Sequence, residues 1–266
     1  MNRIDHLFGR KNRQVLSIYM TAGYPQLDDT IEVMKALQDS GVDMIELGMP
    51  FSDPLADGVV IQQCSHQALL NGMSIHCLFD QLIAMREVID IPVILMGYLN
   101  PVLQFGFAEF LDRCVENGID GVILPDLPLA VYEQDYREMF DQHGMKHIML
   151  ITPHTPVERI HRIAAASGGF LYMVADASIT GATRGISQPQ LDYFRKIESM
   201  ELEIPRLIGF GIHNRETFLQ ASQHASGTII GSAFLKAIGD DRDLPVTEKA
   251  RQFVDTILKD HPSQAT

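Results

Sequence analysis

The chain has 266 residues, enough for one α/β barrel of about 250 residues and short of two average domains. With 46% hydrophobic and 21% charged residues, and no run near the ~18 apolar residues of a membrane helix, it is neither a disordered chain nor a membrane bundle. A formal net charge of −13, from 21 bases against 34 acids, repels nucleic acid and anionic membrane surfaces, so an anionic ligand has to be gripped by local backbone N–H groups.

Short β-branched or apolar runs predict strands at 15–19, 44–47, 93–96, 121–124, 147–151, 170–174, 206–210 and 228–230. Stretches of helical periodicity separate most of them, at 29–40, 79–89, 107–117, 131–143, 156–167 and 189–200. Gly41, Gly118 and Gly144 stand where helices should stop, just ahead of the next strand. Eight strand–helix units predict an α/β fold of the (β/α)8 TIM-barrel class, a single domain over 1–266. The first strand is followed by MTAGYP rather than GxGxxG, which speaks against a doubly wound dinucleotide fold. Cys64, Cys77 and Cys114 form no CxxC pair and fit free thiols in a reducing compartment. The N-terminus lacks the apolar core of a secretory signal, and a cytoplasmic location is expected.

A barrel of this class does its chemistry at the carboxyl ends of its strands. In the second strand Glu46 interrupts an apolar run. Alternation puts Met44 and Glu46 on one face and Ile45 and Leu47 on the other, so Glu46 points into the barrel if the latter pair packs under helices. Burial would raise its pKa and suit it to general acid and base work, whereas a salt bridge to a neighbouring strand is the structural alternative. The loop 49–58 adds Asp53 and Asp57; Asp53 reads first as a turn former before proline, and for Asp57 a turn role and a catalytic one stand equal. Glycine-bearing turns after the last two strands, with Gly211 in one and Gly231 and Ser232 in the other, suit a phosphate approaching backbone N–H groups. The loop 179–185 is a lid or an exposed connection. His143, His147, His154 and His161 show no metal-ligand spacing and read as surface or core residues, so no metal is expected. No lysine falls inside a predicted strand, which counts against Schiff-base chemistry.

These motifs resemble the tryptophan synthase alpha chain family over nearly the whole chain. LGMPFSDPLADG at 47–58, with Glu46 before it, resembles the family signature, and MTAGYP, MGYLNP, LPDLP, ITGATRG, GFGI and GSA follow in the family's order. The resemblance implies retro-aldol cleavage of indole-3-glycerol phosphate to indole and glyceraldehyde 3-phosphate, with no cofactor in this chain. It implies Glu46 as the acid/base at the glycerol hydroxyl and indole C3, and Asp57 as the acid at the indole N–H. Tyr19 then lines the indole pocket, Tyr172 matches an active-site tyrosine that contacts the substrate, Thr180 is a lid residue bonding Asp57, and Gly181, Gly211, Gly231 and Ser232 hold the phosphate. It further implies an α2β2 heterotetramer with a pyridoxal-phosphate beta chain, contacted through Asp53, Pro54, Asn100 and the loop after Pro101. Val59, Ala175 and Ser178 depart from the common pattern without removing a catalytic group. Two competing readings are a sugar-phosphate isomerase on the same barrel and a catalytically silent subunit that only activates a partner.

Overall fold

A computed structural model describes residues 2–175, 185–209, 211–240 and 243–259. Its strands are β1 (Val15–Thr21), β2 (Met44–Gly48), β3 (Val93–Met96), β4 (Gly121–Ile123), β5 (Lys146–His147), β6 (Met149–Ile151), β7 (Leu171–Val174), β8 (Arg206–Gly209) and β9 (Gly227–Ile230). All pair in parallel, in the order β5-β4-β3-β2-β1-β9-β8-β7-β6. The two outer members of that order are consecutive in the chain, parted only by Ile148, whose N–H still bonds the Val122 carbonyl at 3.0 Å. β5 and β6 are thus two halves of one expected strand, and the sheet closes into a (β/α)8 barrel of eight staves.

Register decides which side chains face inward. Tyr19 pairs with Glu46, Glu46 with Ile94, and Ile94 with Gly121, while Leu150 pairs with Tyr172 and Tyr172 with Leu207. Partners in a parallel register share a face, so these residues line the barrel while Ile18, Ile45 and Leu47 turn outward against the helices, where they are fully buried. This satisfies the condition on which the inward aim of Glu46 rested.

Most helices lie within a residue or two of expectation, as in Asp29–Asp39, Phe107–Glu116, Val157–Ala166 and Gln188–Glu198. Gly41, Gly118 and Gly144 all take positive φ at helix ends, the left-handed conformation that favours glycine. Three differences have physical causes. The helix expected at 79–89 instead runs Ile75–Leu82, started by Ser74 accepting from the Cys77 N–H at 3.1 Å, and gives way to a 3₁₀ turn at Met85–Glu87. The one expected at 131–143 carries a wide π turn at Tyr132–Tyr136. An unexpected helix, Arg3–Arg10, closes the amino-terminal end of the barrel with the fully buried Ile4 packed over Gly121 and Gly169.

The same end carries a buried ionic clasp. Asp120 accepts from Arg86 at 2.7 Å, from Arg3 at 3.2 Å and from the Val93 N–H at 3.0 Å. β5 begins one residue before the expected strand, so Lys146 does lie in a strand. It stands at the strand's amino end, paired with Asp5 at 2.9 Å and away from the catalytic mouth, and so offers no Schiff-base amine there.

Candidate active site

Glu46 reaches the barrel interior through the β1–β2 register, with Ser17 two residues before Tyr19 on the same face. Its side chain is fully buried, the Ser17 hydroxyl donates to Oε1 at 2.9 Å, and Oε2 has no partner among the described residues. Nor is there a salt bridge to a neighbouring strand among those residues. Removal from water, which Ser17 offsets only in part, pushes the carboxyl up from 4.5 to about 8. At pH 7 Glu46 is therefore mainly the neutral acid.

Asp57 ends the loop that leaves β2, just before the helix Val59–Leu70. Its N–H donates to the Pro54 carbonyl and its carbonyl accepts from Gln62, which fixes the turn. The loop is also pinned from outside, since the Ala56 N–H donates to the Tyr98 hydroxyl at 3.0 Å. Burial pushes Asp57 up from 3.8 to about 6, and the Tyr98 hydroxyl beside it opposes part of that rise. At pH 7 Asp57 is mainly the carboxylate. Asp53, by contrast, is exposed; it accepts from the Ser52 hydroxyl at 2.5 Å and its carbonyl accepts from the Leu55 N–H at 2.9 Å.

A cavity of about 290 Å³ opens at the carboxyl ends of the strands, lined by Tyr19, Asp57, Tyr172, Gly211, Gly231 and Ser232. These are six of the expected site residues. Its remaining wall, which sequence reasoning missed, is mostly apolar: Ile61, Met96, Ile212 and Ile229, with Gly58. Glu46 is not part of the lining, but it shares the inward face, and the Tyr172 phenol is held protonated by burial and by the combined fields of Glu46 and Asp57. Thr180 and Gly181 lie outside the described residues. No lysine or arginine lines the cavity among the described residues.

The two tyrosines need glycine neighbours. A Cβ at Gly48 would collide with the Tyr19 ring and hydroxyl, and one at Gly209 with those of Tyr172. Each ring thus lies across the backbone of the next stave.

Among the described residues no group of three or more His, Cys, Asp or Glu could hold a metal ion. His143 instead bonds Asp112 at 3.1 Å and His161 is exposed. Cys64, Cys77 and Cys114 are free thiols. No single helix among the described residues is long and apolar enough to cross a membrane.

A parallel barrel with a buried neutral acid on its inward face and a part-buried carboxylate lining a mostly apolar chamber at its carboxyl end defines a barrel enzyme of general acid–base type. The family model for the tryptophan synthase alpha chain matches residues 7–261. A tryptophan synthase alpha chain from Parabacteroides distasonis is 54% identical over 238 residues, covering 90% of this chain and 93% of that protein. One from Flavobacterium johnsoniae is 48% identical, covering 97% of this chain and all of the other. Among solved structures, the tryptophan synthase subunit alpha of Legionella pneumophila superposes with a TM-score of 0.87 at 33% identity, covering 97% of each chain. A chain of the Pyrococcus furiosus tryptophan synthase complex gives 0.83 at 32% identity, covering 93% of this chain and 99% of that one. The chain belongs to the tryptophan synthase alpha chain family.

Proposed function

We propose that the chain, a lyase subunit of tryptophan synthase, cleaves indole-3-glycerol phosphate to indole and glyceraldehyde 3-phosphate with Glu46 and Asp57 as its acid–base pair. The observation that carries the pairing is geometric: Asp57 lines the chamber, and Glu46 lies fully buried on the inward face of β2 with Oε2 unpartnered among the described residues, settings that push the two carboxyls up to about 6 and about 8. At pH 7 one holds a proton and the other does not.

Glu46 gives its proton to indole C3, and positive charge develops on the ring nitrogen. The Asp57 carboxylate stabilises that charge by accepting from the ring N–H. Glu46, now a carboxylate, takes the proton of the hydroxyl on the adjacent glycerol carbon. The C–C bond breaks, its electron pair returns to the ring, and indole and the aldehyde leave. The proton given is the proton recovered, so one buried carboxyl completes the cycle without a second acid. Tyr19, Tyr172 and the aliphatic wall hold the indole. Gly211, Gly231 and Ser232, with Gly181 from the loop, bind the phosphate through backbone N–H groups and a hydroxyl, in keeping with the absence of a basic side chain among the described lining residues, and Thr180 serves as the lid residue that bonds Asp57.

The chain works as one domain over 1–266, in the cytoplasm, with no cofactor of its own, and delivers indole to a pyridoxal-phosphate beta chain in an α2β2 assembly. The surface around Asp53, Pro54 and Asn100 is the contact for that partner; Leu55 on the same loop is 92% exposed, a large apolar side chain awaiting cover. Incubating the purified chain with indole-3-glycerol phosphate, alone and with a beta chain, tests the reading. Indole release supports it, and no release in either mixture rejects it.

A further inference from the structure

A second cavity of about 290 Å³ lies outside the barrel wall, between the segment that follows β4 and the helix Val157–Ala166. Its walls are largely apolar, with Leu124, Leu127, Leu129, Met149 and Ile163 among them. Two polar groups break that character. His147, only 2% exposed, lines the cavity, and neither ring nitrogen has a hydrogen-bond partner among the described residues. Arg159, exposed on the first turn of the bordering helix, lines the same cavity and has no hydrogen-bond or ion-pair partner among the described residues.

The first of these is costly by itself. An imidazole carries a donor and an acceptor, and leaving both unmet in a buried site is unfavourable. Its ring lies against Tyr132 and Phe140, at centroid distances of 4.5 and 5.1 Å, and these aromatic neighbours do not meet that hydrogen-bonding need. Burial also drives its pKa down to about 3, so at neutral pH the ring is uncharged and presents one N–H and one bare nitrogen. Arg159 is exposed and bonded to no acid among the described residues, so its solvated guanidinium is free to meet an anion at the cavity mouth. The one acid at this cavity, Asp126, is engaged elsewhere: both its carboxylate oxygens accept from the Leu99 N–H, at 2.9 and 3.1 Å.

We propose that this cavity is a binding site for a small carboxylate with an apolar body. The carboxylate is held by the Arg159 guanidinium and by an N–H of His147, and the body lies against the aliphatic wall. The volume is at the lower end for ligand pockets, which limits the body to a short branched chain or a single ring. The site is separate from the acid–base chamber, because His147 faces the helical layer whereas Glu46 and Tyr172 face the barrel interior.

The probes are 3-phenylpropionate, 4-methylpentanoate and the neutral 3-phenylpropanamide, titrated into the full chain labelled with ¹⁵N-histidine at pH 7.5. Both acids are expected to saturate and to move the imidazole resonances of His147. The amide is expected to bind at least about tenfold more weakly, because charge-assisted hydrogen bonds are roughly twice as strong as neutral ones. Arg159→Gln, an exposed substitution, should weaken the acids by at least about tenfold without changing indole release. His147→Leu tests the second contact and should also weaken them. The proposal is overturned if no probe saturates at about 20 mM, if acid and amide bind alike, or if Arg159→Gln leaves acid binding unchanged. Movement of other histidine resonances while those of His147 stay in place would equally overturn it.

Discussion

Replacing Glu46 by Gln keeps the shape of the side chain and its ability to accept from Ser17, while removing the titration. In the folded chain the carboxyl holds its proton to about pH 8; in the unfolded chain it loses it near 4.5. Between those values the folded state binds more protons than the unfolded one, so this group makes stability fall as pH rises. Integrating the two titration curves, at about 1.4 kcal/mol for each pH unit that separates them, gives a penalty on the order of 1 kcal/mol at pH 5, about 3 at pH 7 and nearly 5 at pH 9. Gln carries no such penalty, and the other titrating groups are common to both proteins. The variant should therefore gain about 4 kcal/mol on the wild type between pH 5 and pH 9. Urea unfolding at five pH values across that range, followed by circular dichroism, measures the gap. A difference that stays flat with pH would refute the reasoning, since it would mean that Glu46 titrates like a solvated carboxyl. Indole release by the same variant should fall by at least about 100-fold.

Four further outcomes follow from the same geometry. The rate against pH should be bell-shaped, with an acid limb near 6 from Asp57 and an alkaline limb near 8 from Glu46; in Asp57→Asn the rate should fall by at least about 100-fold and the acid limb should disappear. Because the Ser17 hydroxyl favours the charged form of Glu46, Ser17→Ala should move the alkaline limb to higher pH while Ser17→Thr leaves it in place, and an unmoved limb in Ser17→Ala would show that the bond does not tune the acid. Gly209→Ala should force Tyr172 from its position and cost about 1–3 kcal/mol in thermal or urea unfolding, with a raised KM. Asp120→Ala strands the part-buried Arg86 and should cost about 3–5 kcal/mol of stability, with kcat unchanged at a temperature where the variant stays folded.

Much of this architecture can be read from local pattern. Each expected strand has its counterpart in the barrel, because a β-branched run between turn residues announces itself over four or five positions. The inward aim of Glu46 needed only alternation. What eluded sequence reasoning depends on distant partners. The helix Arg3–Arg10 carries an apolar stripe of Ile4, Leu7 and Phe8, but it is only about two turns long, and what that stripe covers is set by the distant Phe170, Gly121 and Gly169. The wall residues Ile61, Met96, Ile212 and Ile229 sit on four separate segments and look like ordinary core until the barrel closes. Ser17 carried a usable signal, a small hydroxyl flanked by Leu16 and Ile18 two positions before Tyr19, and only the β1–β2 register reveals that it meets Glu46. The wide turn at Tyr132–Tyr136 left no mark in the helical periodicity.

The clasp around Asp120 stands at the opposite mouth from the chemistry, where two guanidinium groups converge on one carboxylate beneath the floor made by Ile4. Robustness and reactivity are consequently housed at different poles of the same cylinder. An engineer seeking a hardier enzyme can add to the lower rim while keeping Asp120 and its two guanidinium partners, at a distance from the proton traffic above.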